Sequence, residues 1–301
     1  MIFSWLLIII VAYFFFSLSF FGDKLILSGP PKANSYTFYV GVTSIVVIVF
    51  IPFIHFVLPS TMVFLYILCD AIVYVLGLYL MFSALEKFDV SRVMTTIGAV
   101  QPVFIFALTW IFWGPQQLSG AYILAFILLV IGGCLISWES NSKTNKSYLI
   151  LALLSALLFS FDYIFQKIVY TNLSFLQGLV WLRIFTFLFA MLLLLNKNNR
   201  KDIFKKKSFF NKTTSLLFIG NQSSGGIANF LQAFAVSLAP VAFLPIVNSL
   251  RGIQYVFLFL ITIFFSLFFP KILKEKISTG ILIQKIISII LIVIGLALLV
   301  Y

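Results

Sequence analysis

Ser17–Lys24 reads "SLSFFGDK" and Ser160–Lys167 reads "SFDYIFQK", with Ser and Lys seven apart in both, and each octet lies in a long apolar run. Working outward, further stretches recur in the same order. "YLMFSALEKFDVSRV" from Tyr79 lines up with "FLQAFAVSLAPVAFL" from Phe230, sharing Leu80/Leu231 and Ala84/Ala235. "GPQQLS" (Gly114–Ser119) lines up with "LKEKIS" (Leu273–Ser278), and "VIGG" at Val130 with "VIGL" at Val293. The offset grows from 143 to 151, 159 and 163, mainly across loops, where insertions are tolerated. The chain therefore reads as two related halves, 1–140 and 141–301.

The 301 residues are 62% hydrophobic and 9% charged, against about a quarter charged in a soluble domain. An all-α integral membrane protein follows. Runs of about 20 apolar residues suffice to span a bilayer. They place helices at about 2–22, 36–56, 61–83, 92–113, 118–138, 147–170, 174–195, 214–237, 241–268 and 279–301. That is five per half, and an odd number inverts the second half relative to the first. The expected fold is ten transmembrane helices as two inverted five-helix repeats, a build that secondary transporters use around a midplane site.

Let A be the side of the N-terminus and B the other. Loops on B hold Lys24, Lys32, Lys87, Arg92, Lys143, Lys146, Lys271, Lys274, Lys276 and the basic run "NKNNRKDIFKKKSFFNK" (196–212), whereas A holds almost nothing basic beyond Lys167. The positive-inside rule makes B cytoplasmic and puts both termini outside. The formal charge of +12 is thereby explained without nucleic acid, and the basic run reads as a topology determinant that also touches anionic headgroups. "MIFSWLLIII" lacks the basic region and cleavage site of a signal peptide and reads as a retained helix.

The order of features resembles the EamA-type permeases of the drug/metabolite transporter superfamily. The residues that carry the likeness are Ala84-Leu85, Pro102-Val103, the turn "WGPQQLS" and Gly132-Gly133 in the first half. Ala235-Val236, Glu275 in "LKEKIS", Gly295, and Arg183 in "VWLRIF" carry it in the second. Gln116 stands where the family's Glu would fall, and the proline of the second half has moved to Pro245. The resemblance implies two homologous five-helix halves and transport of small molecules in the cell membrane. The orientation inferred from loop charge is opposite to the family's usual one.

"VNSLRGIQYVF" (Val247–Phe257) puts a guanidinium in the middle of the ninth span. At 1.5 Å per residue, Arg251 lies roughly 15 Å from the A end of its helix, Asp70 and Arg183 roughly 13 Å and Asp162 roughly 12 Å. All four fall near the midplane of a core about 30 Å thick. Facing lipid they would cost on the order of 10 kcal/mol together, so they must face the interior and pair with each other or with a substrate. Arg251 with Asn248 and Gln254, and Arg183, are candidate substrate-binding residues; an internal ion pair is the competing role for Arg183. Asp70 aligns with Asn221 of the second half. Asp70 and Asp162 are the candidates for proton coupling, because burial favours the protonated form of a carboxyl group.

The eighth span, "IGNQSSGGIANFLQ", is polar for its place. On a helical wheel Asn221, Gln222, Gly225, Asn229 and Gln232 share an arc of about 100°. The expectation is that this arc lines a water-filled cavity and that Asn221, Gln222, Asn229 and Gln232 bind substrate. Lys24 and Lys167 are repeat-related and read as snorkelling lysines. Pro102 and Pro245 read as kinks or hinges, His55 as structural, and Glu86 and Asp89 as a solvated mixed-charge turn.

One His, two separated cysteines (Cys69 and Cys134) and the absence of HExxH and GxSxG argue against an enzyme, a metal centre and a disulfide. There is no nucleotide-binding GxxxxGK[ST] loop, so a proton gradient or exchange would drive transport. The sequence thus predicts a secondary transporter of small polar or amphiphilic metabolites working by alternating access, without cofactor. A translocator of lipid-linked or drug-like molecules is the alternative within transport, and a scaffold or membrane-embedded enzyme the alternative outside it. Expected partners are a small-molecule substrate and membrane lipids; a homodimer is compatible with the sequence.

Overall fold

A computed structural model describes residues 2–27, 33–86, 90–137, 146–204, 212–268 and 279–300. Among these residues every regular element is helical, and helix falls within each of the ten intervals expected from the sequence. Eight helices are long and apolar enough to cross a membrane. Gly120–Ile136 is apolar but shorter, and Lys212–Leu238 is long but carries the polar run described above. Leu7, Phe53, Leu195 and Phe268 stand exposed on the outside, a surface suited to hydrocarbon rather than water. The chain has the build of a multi-pass membrane protein.

The α-helices in chain order are α1 (Ile2–Leu27), α2 (Ala33–Thr43), α3 (Thr61–Leu85), α4 (Val90–Trp113), α5 (Gly120–Ser137), α6 (Lys146–Asn172), α7 (Phe175–Leu192), α8 (Lys197–Ile203), α9 (Lys212–Leu238), α10 (Leu244–Ser249), α11 (Arg251–Phe268) and α12 (Thr279–Val300). α2 continues as a 3₁₀ stretch over Ser44–Phe53 that contains Pro52. That stretch, "SIVVIVFIPF", is rich in β-branched residues, which crowd the turns of an α-helix. α4 ends where Gly114 takes φ 76° and donates its N–H to the Trp110 carbonyl at 2.8 Å. A Cβ there would be strained, and Pro115 then prevents further helix.

The ninth span departs from the single helix expected over 241–268. It is a 3₁₀ turn at Val241–Phe243, then α10, then α11, with the interruption at Leu250. Pro245 lies in the first turn of α10, where the N–H it lacks has no intrahelical partner. Arg251 is thus the first residue of a helix rather than the middle of one. The basic run also holds more than a loop. Its first part is α8, docked on α2 through Asn34 Nδ2 to Asn199 Oδ1 (2.7 Å) and the Tyr39 hydroxyl to the Ile203 carbonyl (3.1 Å). Lys87 and Asp89, the 205–211 part of the basic run, and Glu275 in "LKEKIS" lie outside the described residues.

α1 packs along α9, α3 along α6, α5 along α12, α2 along α7, and α10 against α4. The α1–α9 seam places much of the polar arc against a neighbouring helix rather than along a cavity. Asn221 is buried against Gly22 and donates to the Tyr36 hydroxyl at 3.4 Å. Ser224 donates to the Phe15 carbonyl at 2.9 Å, and Gly225 lies against Ser19. Gln222 accepts from Thr43 at 3.4 Å, while the Asn229 amide turns back to the Gly225 carbonyl at 2.8 Å. The arc is a helix-packing face here. Small residues let two backbones approach closely, and the amides bond within and across the seam, as membrane helices do when no water is at hand.

Candidate functional site

The interior polar residues assemble into one layer across α1, α3, α4, α6, α7, α10 and α11. Asp162 and Tyr163, adjacent on α6, stand at its centre and divide it into two groups.

On one side of α6, Asp70 of α3 and Asp162 are 2% and 4% exposed. Gln166 Nε2 donates to Asp162 Oδ1 at 2.8 Å, and Asp70 Oδ1 is buried without a hydrogen-bond partner. Arg183 of α7 lies with its guanidinium carbon 5.2 Å from the centre of the Tyr74 ring. It is within electrostatic reach of both carboxyl groups and of Tyr170. A guanidinium over an aromatic face is favourable, more so when both are dry.

On the other side, Arg251 Nη1 donates to Gln101 Oε1 of α4 at 2.7 Å. The Tyr13 and Tyr163 hydroxyls lie beside Arg251, and Asp162 is within its electrostatic reach. Tyr13, on α1, donates to the Val247 carbonyl at 2.9 Å, just before the break between α10 and α11. Asn248 is fully buried within reach of the Tyr163 hydroxyl, but neither of its amide atoms makes a well-formed hydrogen bond. The Tyr163 hydroxyl, near Tyr13 and Asn248, and Gln254 Nε2 are likewise buried without a well-formed hydrogen bond. Tyr255 closes the layer toward side B by donating to the Met94 carbonyl at 2.7 Å across Gly98.

Of the residues expected from the sequence, Asp70, Asp162, Arg183, Asn248, Arg251 and Gln254 fall in this layer. The expected partner for Arg251 among the interior charges is replaced by neutral Gln101. Asn221, Gln222 and Asn229 sit in the α1–α2–α9 packing, toward side B. Gln232 is buried with Oε1 unpartnered. The antiparallel register set by Gly22 against Asn221 and Ser19 against Gly225 puts Gln232 level with Ala12, next to Tyr13. Sequence reasoning passed over Gln101, Gln166 and four tyrosines, Tyr13, Tyr74, Tyr163 and Tyr170. Gln101 had a signal, a polar side chain before Pro102 in the middle of an apolar run. The tyrosines had none, being masked by the abundance of aromatic residues.

Lys167 also departs from expectation. It does not snorkel. It is 4% exposed, and its ammonium donates to the carbonyls of Val236 (3.1 Å), Ser237 (3.0 Å) and Ala239 (2.6 Å). The last turn of a helix has carbonyls without intrahelical donors and a negative dipole end, and a buried cation satisfies both.

A cleft of 290 Å³ opens between α4 and α10 toward side A, lined by Phe106, Thr109, Trp110, Pro115, Gln116, Leu118, Ala242 and Pro245. Phe106 and Trp110, which line it, are 50% and 60% exposed. No family model matches the chain, and no curated protein matches it. Solved structures do: one, described only as the crystal structure of a protein, superposes with a TM-score of 0.66 at 14% identity, over 97% of this chain and 93% of that one. The fold is therefore one that recurs among solved proteins.

Proposed function

We propose that the chain is a secondary transporter of small polar or amphiphilic metabolites, of the EamA type, built as ten spans in two inverted five-helix repeats and working in the cell membrane. The observation that carries the reading is the cluster of buried polar atoms without well-formed hydrogen bonds around Arg251: both amide atoms of Asn248, the Tyr163 hydroxyl and Gln254 Nε2. An unmet buried polar group costs about 1–3 kcal/mol. Several in one place, next to a charge and a broken helix near the midplane, suit a polar guest that comes and goes.

The helix pairing supports the repeat. If α1 corresponds to α6 and α3 to α9, the α1–α9 pair is the counterpart of α6–α3, and both are extensive. Gly132 of α5 lies against Ile292, and Gly295 of α12 lies against Leu129. The two contacts exchange under the same offset, 163, that aligns "VIGG" with "VIGL". Alternating access would rock one half against the other about this layer.

The test is uptake of a labelled metabolite panel into proteoliposomes, with and without a pH gradient. Arg251→Ala should insert and fold but transport nothing. Transport at the wild-type rate would remove Arg251 from the site. An amphiphilic substrate is favoured by the largely apolar cleft beside Phe106 and Trp110. Uptake or binding that rises with alkyl-chain length would support that choice, and a flat dependence would exclude it.

A further inference from the structure

Asp70 and Asp162 face each other across two helices. Three contacts fix the antiparallel register of α3 and α6. The Ser155 hydroxyl donates to the Gly77 carbonyl at 3.0 Å, the Tyr74 and Phe159 rings lie 6.1 Å apart, and the Tyr66 and Phe165 rings 5.8 Å apart. In that register position 70 is opposite position 162. The two carboxyl groups lie within hydrogen-bonding reach of each other. They are the acidic side chains buried in the interior among the described residues.

We infer that Asp70 and Asp162 hold a single proton between them and act as one proton-binding site. Two carboxylates in contact cannot both stay ionised in a dry interior, because their repulsion is hardly screened there. Two protonated acids would leave Arg183 as an unbalanced buried charge, which is equally unfavourable. One shared proton leaves the pair with one negative charge beside one guanidinium, and the group is neutral. The donors around the pair say where the proton sits. Asp162 Oδ1 accepts from Gln166 Nε2, so Asp162 is supported as the acceptor. Asp70 Oδ1 accepts from nothing, so Asp70 carries the proton and donates to Asp162.

The other titratable groups facing the pair fit this balance. Tyr74 on α3 and Tyr163 and Tyr170 on α6 contribute neutral hydroxyls, and Cys69 on α3 is exposed. Arg183 on α7 is the nearby cation. Arg251 on α11 reaches Asp162 only at longer range, is half-buried, and already donates to Gln101. A site of this kind can release its proton when a second cation or a conformational change alters the balance, and take it up again when Arg183 is left with a pair of acids. Its use as the coupling site, one proton per transport cycle, rests on the transport reading above. The shared proton itself does not.

The experiment is infrared difference spectroscopy on the full chain at neutral pH in maltoside micelles, which have no ester carbonyl. Wild type is compared with Asp70→Asn and with Asp162→Asn, in H₂O and D₂O. Either variant leaves one carboxylate to balance Arg183, so the protonated-carboxyl band of wild type is lost in both. A band lost in only one variant means one acid protonated by burial alone and overturns the sharing. No band in wild type means two carboxylates, balanced by Arg183 and Arg251, and overturns it too. If one variant does not fold, the other still tests the sharing, and wild type carrying ¹³C-carboxyl aspartate counts the protons: the band integrates to one protonated side chain per chain, and zero or two sinks the idea. Failure of proton-driven uptake with the band intact would count against the transport reading and leave the shared proton standing.

Discussion

The ammonium of Lys167, on α6, donates its shortest hydrogen bond, 2.6 Å, to the carbonyl of Ala239 beyond the end of α9. With Val236 and Ser237 it holds three carbonyls at the point where the chain leaves α9 for α10. Replacing Lys167 by Met keeps the length of the side chain and leaves those acceptors dry. The expected loss is on the order of 2–3 kcal/mol, since hydrogen bonds to charged groups are among the stronger ones. Thermal unfolding of the purified variant in micelles measures it. An unchanged midpoint would return Lys167 to the status of a snorkelling surface lysine.

Arg251 and Gln101 join α11 to α4 by a charge-assisted hydrogen bond. Gln101→Leu removes the acceptor and leaves a half-buried guanidinium without it. Stability should fall by about 1.5–3 kcal/mol, and Arg251→Leu combined with Gln101→Leu should recover much of that. Uptake should stay lost in the double variant if Arg251 serves the substrate. Recovery of both stability and uptake would make the pair a structural tie only. Unfolding curves and proteoliposome uptake on the three variants separate these outcomes.

Lys201 is exposed on α8, in the basic run that the loop charges place in the cytoplasm. In a background lacking Cys69 and Cys134, Lys201→Cys should be protected from an impermeant maleimide in intact cells and labelled after permeabilisation. Labelling in intact cells would reverse the orientation and put both termini inside.

Where each part of this structure is written in the chain follows from the physics of the element. Apolar runs against a bilayer leave little choice, so helix appears within every expected interval. The interior charges Asp70, Asp162, Arg183 and Arg251 could be placed from depth alone, because nothing in hydrocarbon tolerates them. Partners are a different matter. Gln101 meets Arg251 because of how α11 is seated beside α4 and α5, with Gly98 of α4 lying under Tyr255 and Gly133 of α5 against Gly252. Helix continuity was hidden too: "LPIVNSLRGIQ" has no signal at Leu250 that separates a kink from a straight helix. Lys167 looked like Lys24 by repeat position, but its role is set by the end of α9, an element far away in sequence. The arc on α9 is ambiguous in sequence because a polar face is the same pattern whether water or another helix meets it.

The α1–α9 seam gives the means to tell those two apart. Gly22 lies so close to the Asn221 side chain that a Cβ would collide with its amide, and Asn221 is only 6% exposed, with little room to turn aside. A Cβ on Gly225 would come within 3.0 Å of the Ser19 hydroxyl. One added to Gly226 would meet nothing within 4 Å. If the arc is a packing face, Gly22→Ala should destabilise by about 1–3 kcal/mol through overpacking. Gly226→Ala, on the exposed side of the same helix, should instead stabilise by about 0.5–1 kcal/mol, since alanine loses less backbone freedom. The cysteine substitution at position 221 should then resist a small water-soluble thiol reagent, while the one at Lys201 reacts in permeabilised cells. Ready reaction at position 221, with Gly22→Ala tolerated, would mean that water reaches the arc and that α9 lines a cavity after all.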